Sequence, residues 1–219
     1  MEQTWKGVYK AGGLSLFAAG LVLFMFFLAL LIFQSSPTLT PEMLLDDPLP
    51  SVSLYALAAF GELLLIPGVL GLYVALKQVK KAHMLMGTAL LLVAVVSFLV
   101  SRTQIISLFR ISGSYQATTS EAMKAAYLVL AEHAIELSNV FSNIALMLLG
   151  IASILIGLVM LKGIFGKGLS YLVIASGTLT LLGAIGVLFE PLTILVLFGL
   201  TLGAIWQIIV GIKLYELGR

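Results

Sequence analysis

The sequence predicts an all-α integral membrane protein with six transmembrane helices, the fourth of which is long and either protrudes or kinks. Hydrophobic residues make up 61% of the 219 residues and charged residues 10%, whereas soluble domains use about 45–50% apolar and about 25% charged residues. Mean hydropathy is +1.15. The chain also contains six apolar stretches, each close to the ~20 residues that a helix needs to cross the hydrocarbon core. We therefore expect one six-helix domain over 1–219, with the lipid bilayer as its solvent.

Composition excludes several classes of function. The net charge is only +2 and its basic residues are dispersed, so nucleic acid is not an expected partner. The chain has no Cys and two His, which excludes disulfides, thiolate nucleophiles and a three-His zinc site within one copy. We expect no cofactor.

The first span is predicted at 14–33. It follows Trp5 and Tyr9, which alternate with Lys6 and Lys10 in the manner of a membrane-interface anchor. The apolar run is longer than the ~7–15 residues of a signal-peptide core, so we expect it to be retained. The loop at 34–53 is rich in proline and acidic residues and is predicted to be irregular.

The second span is predicted at 54–76 and contains Glu62 and Pro67. Because proline removes a backbone donor, we expect a kink at 63–67. The third span is predicted at 84–100, after a basic turn, with Arg102 at its far end.

The fourth span follows a turn, and Thr118 with Glu121 fits a capping box that starts a helix near Thr119. A helix from there to Lys162 would be ~65 Å long, twice the hydrocarbon core. It must protrude, or break near 138–143. The fifth and sixth spans are predicted at 169–189 and 192–212, with Pro191 in the first turn of the sixth.

Lys and Arg are unevenly divided between the two sides of this topology. One side, which carries both termini, has nine of them: Lys6, Lys10, Lys77, Lys80, Lys81, Lys162, Lys167, Lys213 and Arg219. The other side has three, Arg102, Arg110 and Lys124. By the positive-inside rule both termini are cytoplasmic. We therefore expect a multi-pass protein of the cell membrane.

One face of the fourth span changes from polar to small residues along its length. In order, this face carries Glu132, Glu136, Asn139, Asn143, Gly150, Ser153 and Gly157. Intramembrane polar side chains turn toward a bundle interior or water, and small residues allow close helix packing. Both halves are therefore expected to face protein. A second small-residue face, Gly199 and Gly203 with Gln207 and Gly211, predicts close packing within the chain, with a partner helix or in a homo-oligomer.

Two segments resemble a known family. They are LYVALKQVKKAHMLMGTALLLVAVV, at 72–96, and the stretch from His133 through the glycine-punctuated residues 148–183. The basic end of the second span, the lone His before the fourth and the short turn into a Gly-rich fifth are similar to a bacterial and archaeal family of six-span membrane proteins known only as a domain of unknown function. The Pro-Arg pair expected in the turn at 162–167 is absent. The resemblance implies the topology and supplies no catalytic residues.

Counting residues from the cytoplasmic ends places several polar side chains in the outer half of the membrane. We predict that they form an outward-facing ligand-binding pocket with Glu62 as its floor, and its candidate members are Glu62, Arg102, Glu136, Asn139, Asn143 and Glu190. Because a buried unpaired charge is costly, Arg102 should pair with Glu62 or Glu190. The alternative is that these are interface charges together with one carboxylate that only packs.

Glu132, His133 and Glu136 are weak candidates for metal ligands. His133 and Glu136 are spaced i, i+3 as in di-iron bundles, but such sites need a second motif of this kind and more carboxylates. We therefore predict no metal site and no catalytic residue.

The favoured function is a non-enzymatic membrane protein that binds or passes a small molecule, lipid or ion through the pocket. The first alternative is a structural or accessory subunit that docks other membrane proteins. The least favoured is an intramembrane metal-dependent hydrolase.

Overall fold

A computed structural model of the chain describes residues 5–33, 40–186, 192 and 194–219. Within these residues there are seven helices: α1 (Lys6–Phe33), α2 (Pro41–Asp46), α3 (Leu49–Leu76), α4 (Lys81–Ala117), α5 (Glu121–Met160), α6 (Lys167–Ile185) and α7 (Ile194–Leu217). Six of them, all except α2, are long and apolar enough to cross a membrane. The predicted all-α, six-span fold with a long fourth span is confirmed.

The six long helices form a closed ring. Each packs against the next in chain order, and α7 returns to pack against α1. The turns at 77–80 and 161–166 are short, and short turns place consecutive helices side by side and antiparallel. We call the end of the bundle that carries these two turns the basic end, and the end where α4 meets α5 the hairpin end.

Paired glycines allow three of the helix pairs to touch backbone to backbone. A Cβ atom on Gly12 of α1 would lie 2.8 Å from Cα of Gly71 on α3. The corresponding contacts are Gly211 of α7 with the carbonyl of Gly13 (2.8 Å) and Gly150 of α5 with the carbonyl of Gly177 on α6 (2.9 Å). Small residues permit this approach where lipid supplies no hydrophobic driving force. The small-residue faces predicted from the sequence therefore pack within the bundle.

One predicted helix boundary, the end of the third span, is wrong by several turns. The third span does not end near residue 100 but continues to Ala117, so α4 has 37 residues and α5 has 40. At 1.5 Å per residue their lengths are ~56 Å and ~60 Å. The third span thus protrudes together with the fourth as one antiparallel pair, and Arg102 lies inside a helix.

The predicted irregular loop contains the short helix α2. Thr40 caps it, since the Thr40 hydroxyl accepts a hydrogen bond from the Met43 amide. Leu44 and Leu45 pack against Ile105, Leu108 and their neighbours on the protruding pair. Proline at the first helical position and an acidic residue in the first turn favour this helix, and burial of its two leucines holds it in place.

One further local expectation is corrected and another stays a prediction. The residue that precedes α5 is Ser120, and the Thr118 hydroxyl accepts a hydrogen bond from the Ser120 amide at 3.3 Å, so Thr118 does not cap α5 in the predicted box with Glu121. α3 continues through Pro67, and the kink expected at 63–67 stays a prediction. The Ser15 hydroxyl on α1 donates to the Leu64 carbonyl at 2.6 Å, one residue from the carbonyl that Pro67 leaves without its helical donor.

Candidate functional site

Glu62 and Arg102 form an ion pair inside the bundle. Nε and Nη2 of Arg102 both donate to Oε1 of Glu62, at 3.1 and 2.9 Å. Glu62 is 2% exposed and Arg102 8%. The predicted pairing of Arg102 with Glu62 is therefore seen in the structure.

The direction of the two helices explains how this pair forms. Counting from the turn between α3 and α4, Glu62 lies ~21 Å and Arg102 ~31 Å above the basic end at 1.5 Å per residue. In a helix, side chains lean toward the amino terminus. Because α3 and α4 are antiparallel, Glu62 leans toward the hairpin end and Arg102 toward the basic end. The two side chains thus close an offset of about 10 Å.

Three aromatic rings surround the guanidinium of Arg102. The centroids of Phe26 on α1, Tyr55 on α3 and Phe98 on α4 each lie 5.3 Å from its Cζ atom. This is within the distance at which a ring face attracts a cation. At ~31 Å above the basic end, Arg102 lies far enough along α4 to extend toward the membrane surface. Its contacts with the three rings favour the inward position instead.

A cavity of about 40 Å³ begins at this ion pair and continues toward the basic end. All six spans contribute to its wall. Its polar lining consists of Glu62, Arg102, Ser153, Ser176, Thr180 and Gln207. Small residues such as Ala94, Gly199 and Gly203 also line it, and their lack of side-chain volume is what leaves room at the centre of the ring.

Two oxygen atoms of the residues around this cavity have no hydrogen-bond partner among the described protein atoms. They are Oε2 of Glu62 and Oε1 of Gln207, and both are buried. Gln207 as a residue is only 6% exposed. Buried polar atoms are paired in the great majority of cases, and an unpaired one costs about 1–3 kcal/mol. Two such acceptors at one cavity mark it as the candidate site.

Four polar residues of this cavity were not predicted as site residues from the sequence: Ser153, Ser176, Thr180 and Gln207. Gln207 was assigned to a packing face because it continues the four-residue spacing of the glycines on the sixth span. The signal was nevertheless present, since an amide in the middle of a span is as unusual as a carboxylate and is a functional candidate by default.

The polar residues predicted on the fourth span do not join this site. Glu136 and Asn139 are exposed, Asn143 is half-buried, and none of the three lines the cavity. We expected the polar half of this helix face to lie against the bundle interior, and that expectation is wrong at Glu136 and Asn139. Glu190 lies outside the described residues.

The length of α6 explains why the glycines on this face of α5 are buried while its polar residues are not. Gly150 and Gly157 on the same face of α5 are buried against Gly177 and Ile174 of α6. Ala184 packs level with Leu146, and α6 ends at Ile185. In this antiparallel register Asn143 lies just past the end of α6, and Asn139 and the residues before it lie about one turn or more beyond that end, so α6 does not cover them.

α5 instead packs on α4 through an adjacent face. At the hairpin end this face carries Ser138, and nearby Ser142. Ser101 of α4 hydrogen-bonds with Ser138 at 2.9 Å and with Ser142 at 2.7 Å between their hydroxyl oxygens. These serines join the two helices next to Arg102 without lining the cavity.

The weak metal candidates lie on the solvent or lipid side of α5. Glu132, His133 and Glu136 are all exposed. Across residues 5–33, 40–186, 192 and 194–219, no three His, Asp or Glu side chains come together in a group that could hold a metal ion.

Comparison with known proteins places this architecture in a family. Residues 11–214 match the family described as Domain of unknown function (DUF4386). The chain belongs to this family. The match covers all six spans, in agreement with the resemblance noted in the sequence. No curated protein and no solved structure shows significant similarity to the chain.

Proposed function

We propose that this member of the DUF4386 family binds a small polar molecule or ion in the cavity at the centre of its six spans. The observation that carries the proposal is the pair of unpaired acceptors, Glu62 Oε2 and Gln207 Oε1. They come from two different helices, α3 and α7, which both pack against α1. A bound species that interacts with both acceptors would satisfy them and would join the two helices.

The position of the ion pair distinguishes binding from passage. Glu62 and Arg102 line the cavity and lie closer to the hairpin end than Gln207, which is ~15 Å above the basic end by residue count. A solute that passed right through the ring would have to go by this ion pair. We therefore propose binding as the basic property, with passage requiring the ion pair to separate.

We also propose that the basic end faces the cytoplasm of a cell membrane. The excess of Lys and Arg at this end supports the orientation. Trp5 and Lys77 stack there at 4.2 Å from nitrogen to ring centroid, a contact suited to the membrane interface because the ring is amphipathic and the cation reaches water.

Binding can be tested by asking whether the variant Gln207→Met is less stable or more stable than the wild-type protein. Gln207→Met keeps the length of the side chain and removes its polar atoms. If the cavity holds a bound species, the variant loses that interaction and its thermal unfolding temperature in detergent falls. If nothing binds, removing an unsatisfied buried acceptor raises that temperature, and the proposal fails.

Two control variants accompany it. Thr88→Val also removes a buried hydroxyl oxygen without a partner, but Thr88 does not line the central cavity, so this change should raise the unfolding temperature or leave it unaltered. Thr201→Val on α7 removes a hydroxyl that bonds within its own helix. It controls for the loss of a polar group on the same element as Gln207.

A further inference from the structure

We infer that the species held in the central cavity is a small, neutral hydrogen-bond donor that bridges Oε2 of Glu62 and Oε1 of Gln207. The inference rests on the proposed binding function and adds the chemical class of the ligand. Three properties of the cavity support this inference: the hydrogen-bonding character of its wall, the charge of its wall and its volume.

The buried polar atoms left unpaired around the cavity are hydrogen-bond acceptors. The two unpaired atoms, a carboxylate oxygen and an amide oxygen, can only accept. Two of the three described hydroxyls that line the cavity have already used their protons, because Ser176 donates to the Gly199 carbonyl at 2.8 Å and Thr180 to the Ser176 carbonyl at 2.9 Å. These hydroxyls therefore have only lone pairs left for a ligand. A ligand that fits this wall brings N–H or O–H groups.

The charge of the wall is already balanced. Glu62 and Arg102 are the two charged residues among those that line the cavity, and they neutralise each other at 2.9 Å. A cation would add an uncompensated positive charge in a low-dielectric site beside Arg102. An anion would face the carboxylate and a row of lone pairs, while two of the Arg102 donors are committed to Glu62. A neutral ligand avoids both costs.

The volume limits the size of the ligand. The cavity measures about 40 Å³, and one water needs about 10–15 Å³ on this measure. The cavity therefore accommodates about three water-sized groups. Water molecules, ammonia, methylamine and methanol belong to this class, and lipids, quinones and nucleotides do not.

The experiment is a high-resolution structure of the wild-type protein in three buffers. The first contains sodium as its only cation, the second replaces sodium with rubidium, and the third is the sodium buffer with added methanol, which is neutral at every pH. We expect density within about 2.6–3.2 Å of both Glu62 Oε2 and Gln207 Oε1, unchanged between sodium and rubidium. Separate single-atom peaks in all three buffers would identify water, and connected two-atom density in the third alone would identify methanol. Either result supports the inference.

Two results would overturn it in different ways. A rubidium peak in the cavity, located by anomalous scattering, would show that the ligand is a cation; binding would stand and the assigned class would fail. A cavity without density in every buffer, together with a higher unfolding temperature for Gln207→Met, would remove the binding function itself. Gln207→Met should lack the density in the supporting case, and Thr201→Val should keep it.

Discussion

Arg102 places two of its donors on the same oxygen of Glu62, leaving the other carboxylate oxygen unpaired. This arrangement joins α3 to α4 and at the same time keeps one acceptor available to the cavity. A buried ion pair is weak evidence for stability, because the cost of removing both charges from water offsets their attraction. Its more informative property is that neither partner can be removed alone without leaving the other charge buried.

The first prediction concerns the removal of one partner. Glu62→Gln should lower the free energy of unfolding by about 3 kcal/mol, the lower end of the range for breaking a buried pair, because the amide oxygen can still accept from Arg102. The measurement is thermal or denaturant unfolding in detergent. Adding Arg102→Gln should recover part of the loss, since charges in contact are not additive. Additive effects of the two changes would contradict a direct pair.

The second prediction concerns the close contact of α5 with α6. A Cβ atom at Gly157 would lie 2.6 Å from a side-chain carbon of Ile174 and 3.1 Å from the Ile174 amide nitrogen. Gly157→Ala should therefore force the helices apart and lower the unfolding temperature, because backbone cannot yield as a side chain does. Leucine at the same position should lower it further.

Matched controls for this prediction are available on α6 and α7. A Cβ at Gly168 would meet nothing within 4 Å, and one at Gly203 would meet only the hydroxyl oxygen of Ser176, at 3.3 Å. Gly168→Ala should leave stability unchanged or raise it slightly, as alanine favours a helix. Gly203→Ala should cost less than Gly157→Ala, since Gly203 borders the cavity. Equal effects at Gly157 and Gly168 would show that the tight α5–α6 contact does not exist in solution.

The membrane class and the number of spans could be predicted from the sequence because they depend on bulk hydropathy and on lengths near 20 residues. The positions of helix ends that lie outside the hydrocarbon core depend instead on packing against other parts of the chain. α4 continues past residue 100 because Ile105 and Leu108 have an apolar surface to pack against on α5 and α2. That surface belongs to residues far away in the chain, and no local pattern predicts it.

The candidate site, like the fold, could be predicted only in part from the sequence. The cost of burying a charge predicted that Arg102 has a carboxylate partner and left Glu62 and Glu190 as the candidates, and the structure pairs it with Glu62. The fate of Glu136 could not be derived in this way, because it depends on where α6 stops relative to α5. Gly150 and Glu136 share one helical face, and only the length of a neighbouring helix makes one buried and the other exposed. Gln207 was overlooked for the opposite reason: a spacing shared with glycines concealed the chemistry of the amide.

The third prediction concerns the short helix α2. Ser112 and Gln116 of α4 both donate to the carbonyl of Leu45, and Gln116 also donates to that of Asp46. These bonds satisfy the carboxyl end of α2, which has too few residues to be stable alone. Ser112→Ala should therefore increase amide hydrogen exchange across 41–46 while the six spans keep their protection. Ser114→Ala, at an exposed position two residues away, is the control and should change nothing.

The fourth prediction concerns the orientation in the membrane. The chain contains no Cys, so single cysteines can be introduced one at a time and labelled with an impermeant reagent in intact cells. Asp46 and Ser114 are exposed at the hairpin end, and Lys80 and Lys167 are exposed at the basic end. A cysteine at any of the four sites can therefore react once the reagent is on its side of the membrane. With the basic end in the cytoplasm, cysteines at Asp46 and Ser114 should react in intact cells, and those at Lys80 and Lys167 only after the membrane is opened. The opposite pattern would reverse the orientation and leave the fold unaffected. Labelling of Asp46 and Lys80 from the same side would be more damaging, because α3 separates them and would then not cross the membrane.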